Sequence, residues 1–489
     1  MGGPSLSTVI VGGGITGLAT AYYLEQAAAK HGWDLTGVLV EREQRLGGKL
    51  LTIGDAEFLV EGGPDSFLTL KPWALRMAVE LGMEDDVLYQ QSEGVFLLHG
   101  GRLHRIPAGV VGLVPTRPWA LLGASFLSWR GKLRAGLEPF IRPRRDGGQE
   151  SIGEFMRRRL GPEAAQRLAE PFTAGIYAGD ALQLGVRDLF PTLVEWEDRY
   201  GSLTAGRRAA RAASAGRPPA RPFASLRGGM GSLPQAIIGS LRRFTLHTGK
   251  GVTAIACDVG EDHSAYRISF EDGESIVADS VAMTVPAVPA ATVLRTLVPK
   301  VASILDELST VSTGSVALAY RREAVDHPLT GSGFLAPRGE PSPFTGCTWS
   351  SSKWAERAPS GWVLLRAFVG SAGDESFLSR DDPDLVRLVA EGLRPLLGLR
   401  GEPSRAWVHR WPGAMPQYRV GHGARMDRLD QAMADHPGLF LAGASYRGIG
   451  IPDCIRQAQE AAGRMEQMVL RRAARPDRQD SKTMSERHA

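Results

Sequence analysis

Blocks of apolar and polar residues mark out the elements near the start of the chain. Thr8-Val9-Ile10-Val11 is a short β-branched and apolar run, and three glycines follow it at once. Ile15, Leu18, Ala19 and Tyr22 then recur at helical spacing, and Val38-Leu39-Val40 forms a second apolar run. That order predicts strand, glycine turn, helix, strand. Further along, Ile152 to Leu160 and Pro162 to Ala169 carry helical patterns. Strands are expected near Ser315–Tyr320 and Val363–Val369, with Glu271-Asp272-Gly273-Glu274 as a hairpin turn. Leu439 to Ala444 reads as another buried strand, followed by Gly448-Ile449-Gly450-Ile451-Pro452-Asp453 and a helix from about Cys454.

The first turn carries candidate chemistry. G-x-G-x-x-G falls on Gly12, Gly14 and Gly17. In a dinucleotide fold the first glycine allows the tight turn and the second lets backbone approach a pyrophosphate. The third brings the helix close to the strand. Helix N–H groups then face the anion. Glu41 ends the second strand, where a carboxylate accepts from ribose hydroxyls and repels a 2′-phosphate. Two more glycine loops follow, Arg45-Leu46-Gly47-Gly48-Lys49 and Glu61-Gly62-Gly63-Pro64-Asp65-Ser66. Nicotinamide enzymes have no need of them. They suit an elongated flavin, and the Gly448–Asp453 turn offers a second helix N-terminus to its flavin end.

The chain resembles the flavin amine oxidase and protoporphyrinogen oxidase superfamily. Within it, the resemblance is to the bacterial oxygen-dependent porphyrinogen oxidases, especially the coproporphyrinogen III oxidases that form coproporphyrin. It rests on GGGITGLATAYYLE, RLGGK, EGGPDSF, EPFTAGIYAGD, LRGGMGSLP, CTWSSSKW, LLRAFVGSAGDES, WPGAMPQYRVGH and GASYRGIGIPDCI. EPFTAGIYAGD and MPQYRVGH have no general nucleotide-binding purpose, so they point to this family in particular. The stretch after about Arg472 lies outside the resemblance.

The resemblance implies an α/β fold with a discontinuous Rossmann-like FAD-binding domain, a mixed-sheet substrate domain and a helical insertion. The expected segments are 1–85, 225–290 and 410–472 for FAD, 86–224 for the helical part, 291–409 for substrate, and a disordered tail at 473–489. FAD is expected to be non-covalent. Gly12, Gly14 and Gly17 would bind the pyrophosphate, with Gly13, Ile15 and Thr16 completing the turn. Glu41 would hold the adenosine ribose, with Arg42 beside it. Lys49 and the Gly63, Pro64, Asp65 and Ser66 backbone would line the flavin end. Val252 would meet the adenine through its main chain, and Trp411 would pack near the cofactor. Ile449, Gly450 and Ile451 would approach the isoalloxazine ring. For Val252 and Trp411, the residues alone read as core packing rather than as cofactor contacts. Lys71 is the candidate partner for a substrate propionate, or a solvated lysine. Ile176 and Tyr177 are candidates for the tetrapyrrole face, or for core.

No second G-x-G-x-x-G follows a strand, so a separate nicotinamide site is not expected. The electrons would pass to dioxygen, with hydrogen peroxide as product and a porphyrinogen as substrate. No Ser-His-Asp or paired-carboxylate arrangement suggests itself, and no catalytic residue is assigned. Other readings are a protoporphyrinogen oxidase, a flavin amine oxidase, or a tetrapyrrole-binding flavoprotein without activity.

Composition narrows the partners. The 489 residues carry a net charge of +4 and three widely spaced cysteines, which suggests a reducing, cytoplasmic setting without disulfides. The scattered histidines suggest no metal site. No apolar run of spanning length occurs. The segment 106–129 is apolar but interrupted by Pro115, Arg117 and Pro118, so it reads as core, with weak contact to a membrane surface as the alternative. The Arg-rich stretch 205–222 reads as an exposed flexible loop, and nucleic acid is not expected as a partner. Contact with other heme-pathway enzymes is left open.

Overall fold

The computed structural model of the protein describes every residue except 1–4, 56, 108, 112–113, 116–117, 146, 214, 216–220, 260–263 and 475–489. The chain divides into two compact units. One comprises Met1–Gly48, Leu233–Asp306 and Arg428–Ala489, the other Lys49–Ser232 and Glu307–Asp427.

In the first unit, strand Ser5–Val11 pairs in parallel with Asp34–Val40 on one side and Ser280–Met283 on the other. Phe244–His247 and Leu439–Leu441 complete a five-stranded parallel sheet. Thr8 to Val11 are all buried, as expected of a strand covered on both faces. Helix Ile15–His31 stops at Gly32, whose φ of +66° supplies the left-handed cap. It packs beside the long helix Ile451–Ala473. A three-stranded antiparallel sheet follows, with its expected hairpin turn at Gly273, φ +84°.

The second unit is built on a mixed seven-stranded sheet. Its order is Arg405–Pro416, Thr310–Arg321, Trp362–Val369, Gly346–Trp349, Gly333–Leu335, Phe96–His99, Arg102–Arg105. Helix Asp382–Leu397 contributes Leu385, Val389, Ala390, Leu393 and Leu397 to the core against this sheet. A second core is formed by the helices between residues 129 and 213. Helix Ile152–Leu160 begins where the sequence pattern places it, with a Ser151–Glu154 capping box.

Contacts group the FAD and substrate segments differently from the sequence expectation. The chain crosses between units after residues 48, 232, 306 and 427, not after 85, 224, 290 and 409. The reason is pairing. Phe67–Leu68 and Val87–Tyr89 flank Phe223–Leu226 in one antiparallel sheet, which ties 49–85 to the second unit. Residues 475–489 of the expected tail lie outside the described residues.

Two further expectations change. The stretch 205–222 is not a loop throughout, since Leu203–Ala213 is helical. Alanine and arginine favour helix. The helix start is also satisfied by tertiary partners, since the Glu138 carboxylate accepts from Leu203 N at 2.8 Å and Thr204 N at 3.1 Å. Residues 216–220 lie outside the described residues. In 106–129, Ile106, Leu121, Ala124, Phe126 and Leu127 are core, but Leu122 and Trp129 face solvent.

Glu138 belongs to a buried charge cluster that locks the helical part. Arg159, fully buried, bonds Glu138 and also reaches Glu197 at 3.2 Å. Arg158 bonds Glu197 and Glu150 at 2.6 and 2.7 Å. Arg159→Met leaves Glu138 buried without its main counter-charge. A loss of ~3–5 kcal/mol is expected, read as a lower urea midpoint. A midpoint within error of the parent would contradict this account of the helical core.

Candidate functional site

In the first unit, the glycine turn has the three features that a pyrophosphate turn needs. Gly12 sits at φ +110°, and a Cβ there would lie 2.9 Å from Thr284 Oγ1. A Cβ on Gly17 would lie 1.9 Å from the Gly12 carbonyl oxygen, so only glycine lets the helix start this close. Gly14 differs, because a Cβ there would meet nothing within 4 Å. The protein itself does not need glycine at that position. The open space stands at the N-cap of helix Ile15–His31, where no side chain caps the free N–H groups. That is where an anion fits. Ile15 and Thr16 are buried in the first helical turn.

Glu41 is held against this turn. Its Oε2 accepts from Gly13 N at 2.7 Å and its Oε1 from Glu43 N at 2.9 Å. A carboxylate offers about four acceptor sites, so capacity remains for hydroxyls. Lys250 N donates to the Glu41 carbonyl at 2.9 Å, which brings the start of strand Val252–Val259 beside it. Val252 is only half-buried, so it is not simple core. Arg42 is exposed and stands 3.5 Å from Glu271 in an ion pair. The Arg45–Gly48 loop closes over the turn through Gly47 N to Gly13 O at 2.8 Å.

The last helix of this unit starts the same way. Gly450 is its N-cap without a side-chain cap, and Gly448 has φ +120°. Ile449 and Gly450 are accessible while Ile451 is buried. Gln457, which the sequence pattern did not single out, accepts from Gly443 N and Arg447 N at 3.3 Å and so shapes the approach to this turn. Cys454 and Cys347 are buried and Cys257 is half-buried, and none of the three is in a disulfide.

The second unit gathers Lys49, Gly63, Asp65, Ser66 and Trp411 into one cluster. A Cβ on Gly63 would lie 1.8 Å from the Lys49 carbonyl oxygen. Lys49 Nζ donates to the Ala414 carbonyl. Trp411 Nε1 donates to the Gly62 carbonyl at 2.7 Å, so Trp411 is a loop anchor and not simple core packing. The Asp65 carboxylate accepts from Lys353 Nζ at 2.9 Å, Trp354 Nε1 at 3.1 Å and Ser66 Oγ at 2.7 Å. Burial would raise its pKa, but the Lys353 and Arg366 charges outweigh this and hold it well below the usual carboxylate range. Arg366 Nη2 donates to the Gly63 carbonyl. Pro64 is exposed on this loop.

Arg366, Lys353 and Glu61 are further members of this cluster that local sequence pattern does not single out. Arg366 still had a signal, being the single charge in the apolar strand WVLLRAFV. Lys353 had none, since its partner lies 288 positions away.

The candidate substrate residues are also in this unit. Lys71 is half-buried just beyond strand Phe67–Leu68. Ile176 is exposed and therefore not core. Tyr177 packs on the helical core, its ring 6.0 Å from Phe190. Its carbonyl accepts from Gln417 Nε2 at 2.9 Å. Gly185 N to Tyr418 O at 2.8 Å and Val420 N to Gln183 O at 2.9 Å complete the join. EPFTAGIYAGD and MPQYRVGH, far apart in the chain, are thus one interlocked structure.

Comparison with known proteins gives a consistent picture. Residues 15–465 match the family model of flavin containing amine oxidoreductases. The chain is 36% identical to coproporphyrinogen III oxidase of Bacillus subtilis, over 93% of this chain and 96% of that one. It is 33% identical to chloroplastic protoporphyrinogen oxidase 1 of Arabidopsis thaliana, over 96% and 90%. A solved structure from Exiguobacterium sp. 255-15, described as a candidate protoporphyrinogen oxidase, superposes with a TM-score of 0.84 at 32% identity, covering 96% of this chain and all of that one.

The two glycine geometries separate folding from cofactor binding. Gly14→Val should leave thermal unfolding of the flavin-free protein close to the parent but abolish bound flavin. Gly17→Val should lower stability even without cofactor. Flavin absorbance and unfolding of the stripped proteins check both, and normal flavin content in Gly14→Val would refute the open-cradle reading.

Proposed function

Because the chain belongs to the flavin containing amine oxidoreductase family, we propose that it is an FAD-dependent oxidase that converts coproporphyrinogen III to coproporphyrin III in heme biosynthesis. The observation that carries this reading is the near full-length likeness to coproporphyrinogen III oxidase of Bacillus subtilis. When bound, the flavin supplies two-electron oxidation and hands the electrons to dioxygen, giving hydrogen peroxide. Aromatisation removes six electrons and six protons, so it uses three dioxygen molecules and releases three of peroxide.

The chain's own residues bind and orient. The Gly12–Gly17 turn and helix Ile15–His31 hold the pyrophosphate, Glu41 the ribose, and the Val252 main chain the adenine. Lys49, the Gly63–Ser66 loop and Trp411 of the second unit are assigned to the flavin end, and Ile449–Ile451 of the first unit are assigned to it on the resemblance alone. Binding is taken to be non-covalent, because Cys454 follows Ile-Pro-Asp and does not lie in the tethering motif of the amine oxidases. Lys71 meets a propionate, and Ile176, exposed beside Tyr177, offers apolar surface to the tetrapyrrole. No catalytic base is assigned, because aromatisation drives the loss of protons.

Protoporphyrinogen IX is the alternative substrate. Turnover of both by the parent and by Lys71→Ala tests the choice. Peroxide release should accompany each, with the higher kcat/KM for coproporphyrinogen. Lys71→Ala should lose ~ten- to a hundredfold in kcat/KM while keeping its flavin, as for a charge-assisted hydrogen bond of ~1.5–3 kcal/mol. Preference for protoporphyrinogen without detergent would overturn the substrate, and an unchanged variant would remove Lys71.

We place the protein in the cytoplasm, with peripheral contact to membranes. No helix among the described residues is long and apolar enough to cross one. Leu122, Trp129, Leu133 and Phe140 are 60% to 81% exposed. Helix Trp129–Gly136 buries only Gly131 and Ala135, so Trp129 and Leu133 form an outward apolar edge beside Arg130. Such an edge suits an anionic lipid surface. Co-sedimentation with phosphatidylglycerol vesicles should fall sharply in a Trp129→Ser, Leu133→Ser variant. Equal sedimentation of both proteins would refute the contact.

A further inference from the structure

The loop Gly62–Ser66 rests on an unusual concentration of buried charge. Arg366, Arg357 and Glu61 are almost fully buried, and the Lys353–Asp65 pair is largely so. Arg357 donates to the carbonyls of Arg227 and Leu226 and to Ser225 Oγ. Glu61 accepts from Thr52 Oγ1 and Met230 N. Three buried cations thus face two buried carboxylates, while Glu356, which also acts on Arg357, is half-exposed and paired with Arg227 at 2.5 Å, and desolvation pushes the Glu61 carboxyl towards its neutral form. Among the buried groups alone, positive charge is in excess. Unpaired buried charge is costly to keep and so calls for an explanation. The Nε atoms of Arg366 and Arg357 are also buried without a partner.

Arg366 is placed to act on the loop directly. It rises from the interior strand Trp362–Val369 and donates to the Gly63 carbonyl. The next residue, Pro64, has no N–H, so that peptide offers the loop only this one polar handle. Trp411 holds the preceding Gly62 carbonyl. In a trans peptide the N–H opposes the C=O, so the Gly63 N–H points away from Trp411, free of the indole. Both carbonyls are therefore pinned to the protein, with the Arg366 guanidinium, one of the cations in excess, behind them.

We propose that Arg366 is a positioning residue that raises the reduction potential of the flavin, by fixing the Gly63 peptide and by supplying buried positive charge that favours the electron-rich reduced cofactor. The proposal rests on the reading that the Gly63–Ser66 loop lines the flavin end. Its scale follows from electrostatics: at an effective dielectric of ~20, a unit charge ~10 Å away shifts an equilibrium by roughly tenfold.

The test is the two-electron potential of the purified flavoprotein, measured against a reference dye without substrate. Arg366→Met should retain flavin and lower the reduction equilibrium by ~tenfold, which is ~30 mV. Arg366→Lys should stay closer to the parent than to the methionine variant. Asp65→Asn removes a negative charge and should move the potential upward. A parent-like potential in flavin-loaded Arg366→Met overturns the proposal. Where that variant does not fold, an unchanged or lowered potential in Asp65→Asn overturns it equally. These potentials are readable whether or not the parent oxidises porphyrinogens, so failure here is distinct from failure of the substrate reading. A parent protein without flavin would overturn both.

Discussion

A helix can start immediately beneath a parallel sheet only if the turn before it takes up almost no volume. Gly12 and Gly17 meet that constraint, with 1.9 Å between the Gly12 carbonyl oxygen and the place a Gly17 Cβ would occupy. The central strand Ser5–Val11, its two parallel neighbours and helix Ile15–His31 all depend on this contact. The same compactness leaves the helix N-terminus uncapped and accessible at Gly14. Close packing and an uncapped helix N-terminus are therefore two results of one geometry.

The second unit solves a different problem. It must hold a glycine loop still without a buried apolar side chain on the loop itself, since Pro64 is exposed. Charge and hydrogen bonds do this work. Asp65 gathers Lys353, Trp354 and Ser66, while Arg366 and Trp411 hold successive carbonyls. A buried network of this kind is stable only when its members are paired, which makes the departures from pairing at Arg366 and Arg357 informative. The same unit uses Arg159, Glu138 and Glu197 to join its helices, again with charge in place of volume.

The interlocking of residues 177–185 with 417–420 shows why some sequence stretches resist a local reading. EPFTAGIYAGD has no obvious job when read alone. Its Tyr177 carbonyl and its neighbour Gly185 are met by Gln417 and Tyr418 from the other motif. Each stretch supplies half of a hydrogen-bonding scheme, and neither half has a periodic pattern.

By itself, the sequence determined the elements whose cause is local. The glycine turn, the flanking strands, the Ser151 helix start and the Gly273 hairpin all follow from neighbouring residues, because backbone freedom, capping and apolar periodicity act within a few positions. The two glycine helix starts of the first unit were legible for the same reason. Only the tertiary structure decided how the chain is shared between the two units, because strand Phe223–Leu226 pairs with residues more than a hundred positions earlier. It also decided that Leu203–Ala213 is helical, since Glu138 satisfies the helix start from outside it. Arg366, Lys353 and Asp65 belong to the same class. A buried charge declares its partner only when folding removes the water that would otherwise serve every charge alike.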